Sequence, residues 1–529
     1  PPPSLPPLPS LSFDMSLTEL WQSLSQVARS EKPQKGLFLV QGEERQLLYH
    51  HLLAQAVASG QRCLVLSPEG DSALHRSCAQ AFPGRCIGFH GKLTLRRRSD
   101  AWQAIEAGVA DIVLGSRSAL FVPLAPLGLI ILDEEQDDSY KEEKTPPFYH
   151  AREVAVKLSE LKGAVVVLGS ATPDVGSYYR CQQGEFKLIR LPSLSEREGV
   201  QLVNMRQELR QGRRSPFSRA LTQGLARTLT EAGQALLLVN RRGPASFVQC
   251  EHCGAALRCP RCALFLTSYG ETDILCCHCG HREPLPQQCP RCQGGELKSR
   301  GVETEGIENE VHRLFPQARL GLCEEGGLRK QKQLLNQWHD RQIDILIGSQ
   351  AMAQGPNPPQ ADLVGIMVGD YGLFIPDFRA GERTYQLLTK LILLRRKGGR
   401  AIIQAYLPEH YALQTVARQD YAAFYQAEIG HRRRFGYPPF SRLARLLVLD
   451  ADSHQGEQRA QGLAALIEEQ KRLLGLSLRI LGPTPAYQPW LKGRHRWQIL
   501  LVGRDMEKLL TTELIPRGVS VELDLVKLT

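Results

Sequence analysis

Eight cysteines constrain the fold of this chain more than any other feature of the sequence. They form four C-x-x-C pairs: Cys250/Cys253, Cys259/Cys262, Cys276/Cys279 and Cys289/Cys292. Two residues between the thiols allow a tight turn to direct both sulfurs toward one tetrahedral Zn²⁺. Four pairs therefore predict two sites of four cysteines each. The alternative is a disulfide framework, but the N-terminus lacks the pattern of a signal peptide, and the cytosol keeps such thiols reduced. We expect zinc as the cofactor.

The spacing of the pairs bears on which of them share an ion. Tandem and interleaved sites are both possible, although the short gap between Cys253 and Cys259 disfavours a site made from the first two pairs. We favour one site from the outer pairs and one from the inner pairs. His252 and His278 lie inside the turns and, with eight thiolates available, are expected not to be ligands.

Short apolar runs alternate with helical stretches on both sides of the cysteines. They lie at residues 36–40, 63–67, 111–116, 128–135 and 164–172, and again at 234–243, 343–350, 363–370 and 401–406. Such runs are typical of parallel strands that helices bury on both faces, with ligand-facing loops at the carboxyl ends. We predict an α/β fold of two lobes with a zinc insertion in the second, followed by an α+β unit. The predicted bounds are 1–30 (proline-rich linker), 31–195 (first lobe), 196–248 and 300–430 (second lobe), 249–299 (zinc module) and 431–529 (C-terminal DNA-binding domain).

The formal net charge is +10 and several basic runs contribute to it, at residues 96–98, 395–397, 432–434 and 492–496. Several such runs on one chain favour a polyanionic partner over a merely solvated surface. No stretch approaches the roughly 18 apolar residues that span a membrane. We therefore expect a cytoplasmic protein with no membrane partner.

An ordered set of motifs narrows the fold to a family: GSRSALF at 115–121, Asp133-Glu134-Glu135, YHAR at 149–152, Ser170-Ala171-Thr172, the cysteine pairs, ILIGSQAMAQG and DFRAGER at 377–383. From about residue 36 to the end, the chain resembles the PriA family of replication restart proteins, which are superfamily 2 helicases. The resemblance implies two RecA-like lobes, a double zinc module on the second lobe, and the same outer-with-outer and inner-with-inner pairing. It also implies that the protein recognises stalled or branched forks and helps reload the replicative helicase. Its partners would be branched and single-stranded DNA, the helicase and its loader, and single-stranded-DNA-binding protein.

The predicted nucleotide site departs from that family. Helicases of this type hold triphosphate with G-x-x-x-x-G-K-[ST], but the first turn here reads Gly42-Glu43-Glu44-Arg45-Gln46. Where the resemblance implies a glutamine and two arginine fingers, Lys390, Leu394 and Lys397 stand instead. We therefore expect a degenerate site (Gly42, Glu43, Glu44, Arg45, Asp133 and Glu134), no catalytic residue, no ATP use, and a pseudo-helicase that is not an enzyme. The alternative is an ATP-dependent 3′–5′ DNA helicase with a non-standard nucleotide site.

Two groups of residues are predicted to contact DNA. The resemblance implies the first, in and near an aromatic-rich loop: Arg117, Tyr140, Phe148, Tyr149 and Arg152. A basic strip with an aromatic neighbour gives the second: Lys492, Arg494, Arg496 and Trp497. A surface salt bridge for Arg117 and simple packing for the loop remain open. A third function, a double-zinc module for protein interaction with incidental DNA contacts, also remains open.

Overall fold

The computed structural model describes residue 22 and residues 36–70, 72–143, 147–191, 199–213, 215–239, 247–250, 252–262, 264–269, 272–300, 305–323, 328–353, 358–510, 514–516 and 518–527. The predicted linker at 1–30 therefore lies almost wholly outside the described residues. The chain divides between Ser195 and Glu196 into two compact units. Among the described helices, none is both long enough and apolar enough to cross a bilayer.

The first unit is a seven-stranded parallel sheet in the order β3-β4-β2-β5-β6-β1-β7, with helices connecting the strands. Its central strands are buried along their whole length, since helices cover both faces. The strands are β1 (Gly36–Gln41), β2 (Arg62–Leu66), β3 (Cys86–Phe89), β4 (Ile112–Gly115), β5 (Leu127–Asp133), β6 (Val165–Ser170) and β7 (Lys187–Arg190). The helices are α1 (Arg45–Ala58), α2 (Ala73–Ala81), α3 (Leu95–Glu106), α4 (Ala151–Lys162) and α5 (Val175–Gln182).

The second unit contains a six-stranded parallel sheet in the order β15-β16-β9-β17-β18-β8. Its strands are β8 (Val200–Asn204), β9 (Ala235–Leu238), β15 (Leu320–Cys323), β16 (Ile345–Gly348), β17 (Ala361–Ile366) and β18 (Arg395–Ala405). Its helices are α6 (Met205–Arg210), α7 (Arg219–Thr230), α8 (Glu305–Leu314), α9 (Leu328–His339), α10 (Ala380–Ile392), α11 (Tyr411–Ala417) and α12 (Tyr421–Phe435).

An antiparallel sheet that contains the cysteine pairs interrupts the second unit between β9 and α8. Its strand order is β13-β12-β11-β10-β14. Six of the eight paired cysteines lie in its buried core, and its strands are short. They are β10 (Phe247–Cys250), β11 (Thr267–Tyr269), β12 (Asp273–Leu275), β13 (Arg282–Pro284) and β14 (Leu297–Arg300).

A four-stranded antiparallel sheet ends the second unit, in the order β20-β21-β19-β22 with one long helix on it. Its elements are β19 (Arg442–Asp450), α13 (Ser453–Leu473), β20 (Leu478–Leu491), β21 (Arg494–Gly503) and β22 (Val519–Leu523). Alternate residues of β21 face opposite ways. Ile499 and Leu501 join the core under α13, whereas Leu500 and Val502 pack with Phe378.

The predicted fold class is confirmed. The structure has helicase-like α/β sheets, a cysteine-rich insertion within the second, and a C-terminal antiparallel sheet. The domain bounds given above stay predictions.

Candidate functional site

The turn after β1, which carries the degenerate motif, is shaped by one glycine. Gly42 donates its N–H to the carbonyl of Ser170 at 3.0 Å. Its φ is +157°, and a Cβ there would lie 2.7 Å from the Cβ of Leu191. A side chain at this position would therefore force the turn away from Leu191, which directly follows β7. Helix α1 then begins at Arg45, directly after Glu44.

Arg45 lies against the two carboxylates that close β5. Its Nε donates to Asp133 Oδ1 at 2.5 Å, its Nη2 donates to Glu134, and its Nη1 donates to the carbonyl of Gly42 at 2.9 Å. The hydroxyl of Tyr49, one turn along α1, also donates to Asp133 Oδ1, at 3.1 Å. Arg45 is 7 % exposed, so the pairing is largely shielded from water. We call Arg45, Tyr49, Asp133 and Glu134 the Arg45 cluster.

Burial sets the electrostatics of this cluster. It raises the pKa of Asp133, and the Arg45 guanidinium opposes that rise. It also raises the pKa of the Tyr49 hydroxyl, which therefore stays a hydrogen-bond donor. One buried cation here faces two carboxylates, so with both carboxylates ionised the cluster keeps a net negative charge that suits a divalent cation.

A second buried network links Glu135, the residue after Glu134, to α4 and α5. Glu135 accepts from the Asp174 N–H at 2.7 Å and from the Ser177 hydroxyl at 2.8 Å. The Arg152 guanidinium lies 3.0 Å from both Glu135 and Asp174. Arg152 is thus committed to this network and is not available to DNA in this structure, contrary to our prediction.

The remaining residues of the first DNA-contacting group divide by burial. Tyr140 is 1 % exposed and donates its hydroxyl to the Asp133 carbonyl at 2.7 Å, so its ring cannot stack on a base. Arg117 pairs with Glu142 at 2.8 Å, which is the salt bridge that we left open. Phe148 and Tyr149 are half-buried.

Tyr149 has a neighbour that the sequence analysis missed. The exposed Phe121 ring meets the Tyr149 ring edge-on, with 5.0 Å between ring centroids. Phe121 is the last residue of the GSRSALF motif, which was the available signal. Tyr149 also lines a cavity of about 430 Å³, whose lining includes Lys92, Arg98 and Arg117.

The predicted basic strip in the C-terminal domain lies at the turn between β20 and β21. Lys492 and Arg494 are exposed, and Arg496 is half-buried and donates to the carbonyl of Gln488 at 3.3 Å. Trp497 is buried under α13 and is therefore not available to DNA, contrary to our prediction. The exposed ring in this hairpin belongs to Trp490, which the sequence analysis missed although it directly precedes Leu491 and Lys492.

The cysteines meet in two groups of four: Cys250, Cys253, Cys289 and Cys292, and Cys259, Cys262, Cys276 and Cys279. Sγ atoms of different pairs lie 3.6 and 3.7 Å apart in the outer group and 3.4 and 3.6 Å apart in the inner one. Four sulfurs at about 2.3 Å from one Zn²⁺ would lie about 3.8 Å apart, whereas a disulfide needs about 2.05 Å. The donor sets therefore fit zinc and exclude disulfides among these eight cysteines. The grouping is outer with outer and inner with inner.

The backbone of the turns explains why each can present two thiols. Gly254, Gly280 and Gln293 directly follow the second cysteine of three pairs, and all three have left-handed φ values between +56° and +73°. Each donates its N–H to the carbonyl of the first cysteine in its pair, at 2.8 to 2.9 Å. A chain that reverses in this way keeps both sulfurs on one side of the turn.

Residues inside the third pair dock the metal module onto the C-terminal domain. Gln498 of β21 donates its Nε2 to the carbonyl of Cys277 at 2.7 Å. The buried ring of His278 meets the Tyr437 ring edge-on, with 5.6 Å between centroids. His278 therefore has a packing role and lies outside both cysteine groups.

Comparison with known proteins places the chain in a family. The family model for the primosomal protein N C-terminal domain matches residues 433–524. Replication restart protein PriA of Treponema pallidum is 34 % identical over 89 % of this chain and 73 % of its own length. The chain belongs to the PriA family. PriA of Bacillus subtilis is 37 % identical over 87 % of the chain and 58 % of its own length, and PriA of Synechocystis is 33 % identical over 96 % and 64 %.

This member of the PriA family thus spans about three fifths of the length of those last two relatives. Among solved structures, RecG bound to a three-way DNA junction is similar at 14 % identity and a TM-score of 0.44, over 82 % of this chain and 48 % of that one. A DEAD box protein from Methanococcus jannaschii is similar at 11 % identity and a TM-score of 0.36, over 78 % of this chain and 96 % of that one.

The expectation that the chain is a pseudo-helicase and not an enzyme is wrong. Membership of the PriA family, a helicase family, points to an enzyme. The expectation of no ATP use rested on the same reasoning and has no support in these comparisons. In the structure, Arg45 places a buried cation beside Asp133 and Glu134.

Proposed function

We propose that this chain is the helicase core of a replication restart protein. It recognises stalled or branched forks, helps reload the replicative helicase, and uses ATP through a non-standard nucleotide site. The observation that carries the enzymatic part is the Arg45 cluster. A cation from the first turn of α1 lies within hydrogen-bond distance of the carboxylates that end β5.

An exchange of ionic partners would allow this cluster to hold a nucleotide. Carboxylates bind Mg²⁺ through oxygen, and guanidinium groups bind phosphate. With magnesium nucleotide present, Asp133 and Glu134 would hold the metal ion and Arg45 would turn to the phosphate oxygens. Each buried charge keeps an opposite partner, so the exchange avoids the cost of an unpaired ion. Tyr49, which also donates to Asp133, would hold that carboxylate in place during the exchange.

Titration of the zinc-loaded chain with magnesium ATP tests this site. We expect saturable binding that weakens at least about tenfold in Arg45→Ala, since a charge-assisted phosphate contact is worth about 1.5–3 kcal/mol. Arg45→Lys should keep part of the affinity. Lys162→Ala removes an exposed charge at the far end of α4 and serves as the matched control. Binding that is absent from the parent chain, or equal in all four proteins, contradicts the assignment.

DNA contacts in this proposal come from members of the predicted set that are exposed or half-buried. They are Arg117, Phe148 and Tyr149 with the newly found Phe121 in the first unit, and Lys492 and Arg494 in the C-terminal domain. Ring faces and cations together suit unpaired bases and their phosphates. Two Zn²⁺ ions on the two cysteine groups would hold the insertion in shape. The protein partners, which are the replicative helicase, its loader and single-stranded-DNA-binding protein, rest on the family alone.

A further inference from the structure

A groove of about 750 Å³ lies where the end of α12 meets the C-terminal sheet. The connection after α13 and the base of the β20–β21 hairpin complete it. We call it the basic groove. Its charged lining residues are Arg433, Arg434, Lys471 and Arg479.

Three consecutive arginines at the end of α12 have different environments. Arg432 is 2 % exposed and pairs with Glu428 and Glu382, both at 2.8 Å. Arg433 and Arg434 are exposed. Successive residues of a helix point about 100° apart, so burying one arginine against α10 leaves the next two facing the groove.

The groove is unbalanced in charge, because its lining contains no Asp or Glu. Among the described residues, no carboxylate pairs with Arg433, Arg434 or Arg479. The first two guanidinium groups lie over the rings of Phe440 and Phe435. Arg479 donates to the carbonyl of Phe435 at 2.8 Å, and Lys471 pairs with Glu468. Three guanidinium groups thus retain donors for an anion.

We propose that the basic groove binds the phosphate backbone of a nucleic-acid strand. The rest of the lining favours a strand over an acidic peptide. Of its apolar lining, Leu478 and Val502 are buried and Phe435 and Leu476 are half-buried, while Gly436, Gly475, Ser441 and Ser477 leave room for a backbone. The groove is separate from the strip at Lys492 and Arg494, which lies at the opposite end of the same hairpin. This inference rests on the proposed DNA-binding function.

The test compares two double variants of the zinc-loaded chain that lose equal charge. Arg433→Ser/Arg479→Ser removes two cations of the groove, whereas Arg418→Ser/Arg472→Ser removes two exposed arginines outside its lining. Affinity for a forked DNA is titrated at several salt concentrations. The groove variant should bind on the order of tenfold more weakly and lower the slope of log affinity against log salt by roughly 1.4 to 1.8 units, at 0.7 to 0.9 per phosphate contact. The control should match the parent.

Two further arms separate the alternatives. Arg433→Lys/Arg479→Lys keeps the charge and should keep most of the affinity. If the lysine variant loses as much affinity for the forked DNA as the serine variant, the arginines act by capping α12 and the proposal is wrong. A polyglutamate peptide that displaces the fork better than tripolyphosphate of equal charge would assign the groove to an acidic protein segment and overturn it. Equal fork binding by both serine variants would also overturn it. We expect these variants to leave magnesium ATP binding at the Arg45 cluster unchanged. A negative result for the basic groove would therefore not count against the proposed nucleotide site.

Discussion

Arg45 determines the state of the carboxylates at the end of β5, and it leads to a pH-dependent prediction. In Arg45→Ala, the opposition of the guanidinium would be lost and only the Tyr49 hydrogen bond would still counter the rise that burial imposes on the pKa of Asp133. Removing one partner of a buried ion pair costs about 3–5 kcal/mol. A carboxyl whose pKa is higher in the folded state makes the protein less stable as pH rises, because the folded state then binds more protons than the unfolded state. The deficit in unfolding free energy, measured with urea, should therefore be larger at pH 8 than at pH 5. An equal deficit at both pH values would contradict the pairing.

The partners of Arg45 show what residue types alone could not predict. The strand ends and the acidic pair at 133–134 follow from the apolar runs, since parallel strands end in ligand-facing loops. The pairing joins residues 88 positions apart, and it depends on how β1 and β5 lie in the same sheet. The residue types at the turn depart from the usual phosphate-binding motif, whereas the folded cluster contains a buried cation.

Two adjacent arginines of α12 should differ strongly in how much they contribute to stability. Arg432 joins α12 to α10 through Glu382, which is itself fully buried. Arg432→Ala would leave that carboxylate without this partner and should lower the unfolding free energy by about 3–5 kcal/mol. Arg433→Ala, at an exposed site, should change it by less than about 0.5 kcal/mol. Denaturant unfolding of the two variants side by side checks this, and similar losses in both would refute the assignment.

Strand β21 explains one error of the sequence analysis. Arg496 and Trp497 were grouped because they are adjacent, but side chains on a strand alternate between faces. Trp497 therefore packs under α13, and the exposed Trp490 lies at the hairpin end, where no apolar run marks it. The strands of the two parallel sheets were better predicted, since burial on both faces leaves continuous apolar runs such as 164–172 in the sequence.

At the scale of the molecule, two adjacent cysteines provide a matched test of the metal module. Cys276 belongs to the inner group, whereas Cys277 lies outside both cysteine groups found among the described residues and accepts a hydrogen bond through its carbonyl. Cys276→Ser should lower the zinc content from two ions per chain to one and expose the insertion to protease. Cys277→Ser should keep both ions. Metal analysis of the purified proteins decides it, and equal zinc in both variants would sink the assignment of the inner group.

The sequence predicted the sheets and the insertion, but it did not predict the contacts between them. The order of apolar runs and cysteines gave the two sheets and the insertion, because each depends on local patterns. The docking of the metal module through Cys277 and His278 onto Gln498 and Tyr437 could not be predicted, since it joins residues that are distant in the chain. The same holds for the basic groove, whose cations come from α12, α13 and β20.

The measurement that most directly tests the proposed helicase core is phosphate release from ATP by the zinc-loaded chain, with and without forked DNA. Glu134→Gln, which removes one charge of the Arg45 cluster and keeps its shape, is the control. We predict that the parent chain releases phosphate faster in the presence of forked DNA and well above the Glu134→Gln rate. A rate that DNA does not change and that equals the control would contradict the account.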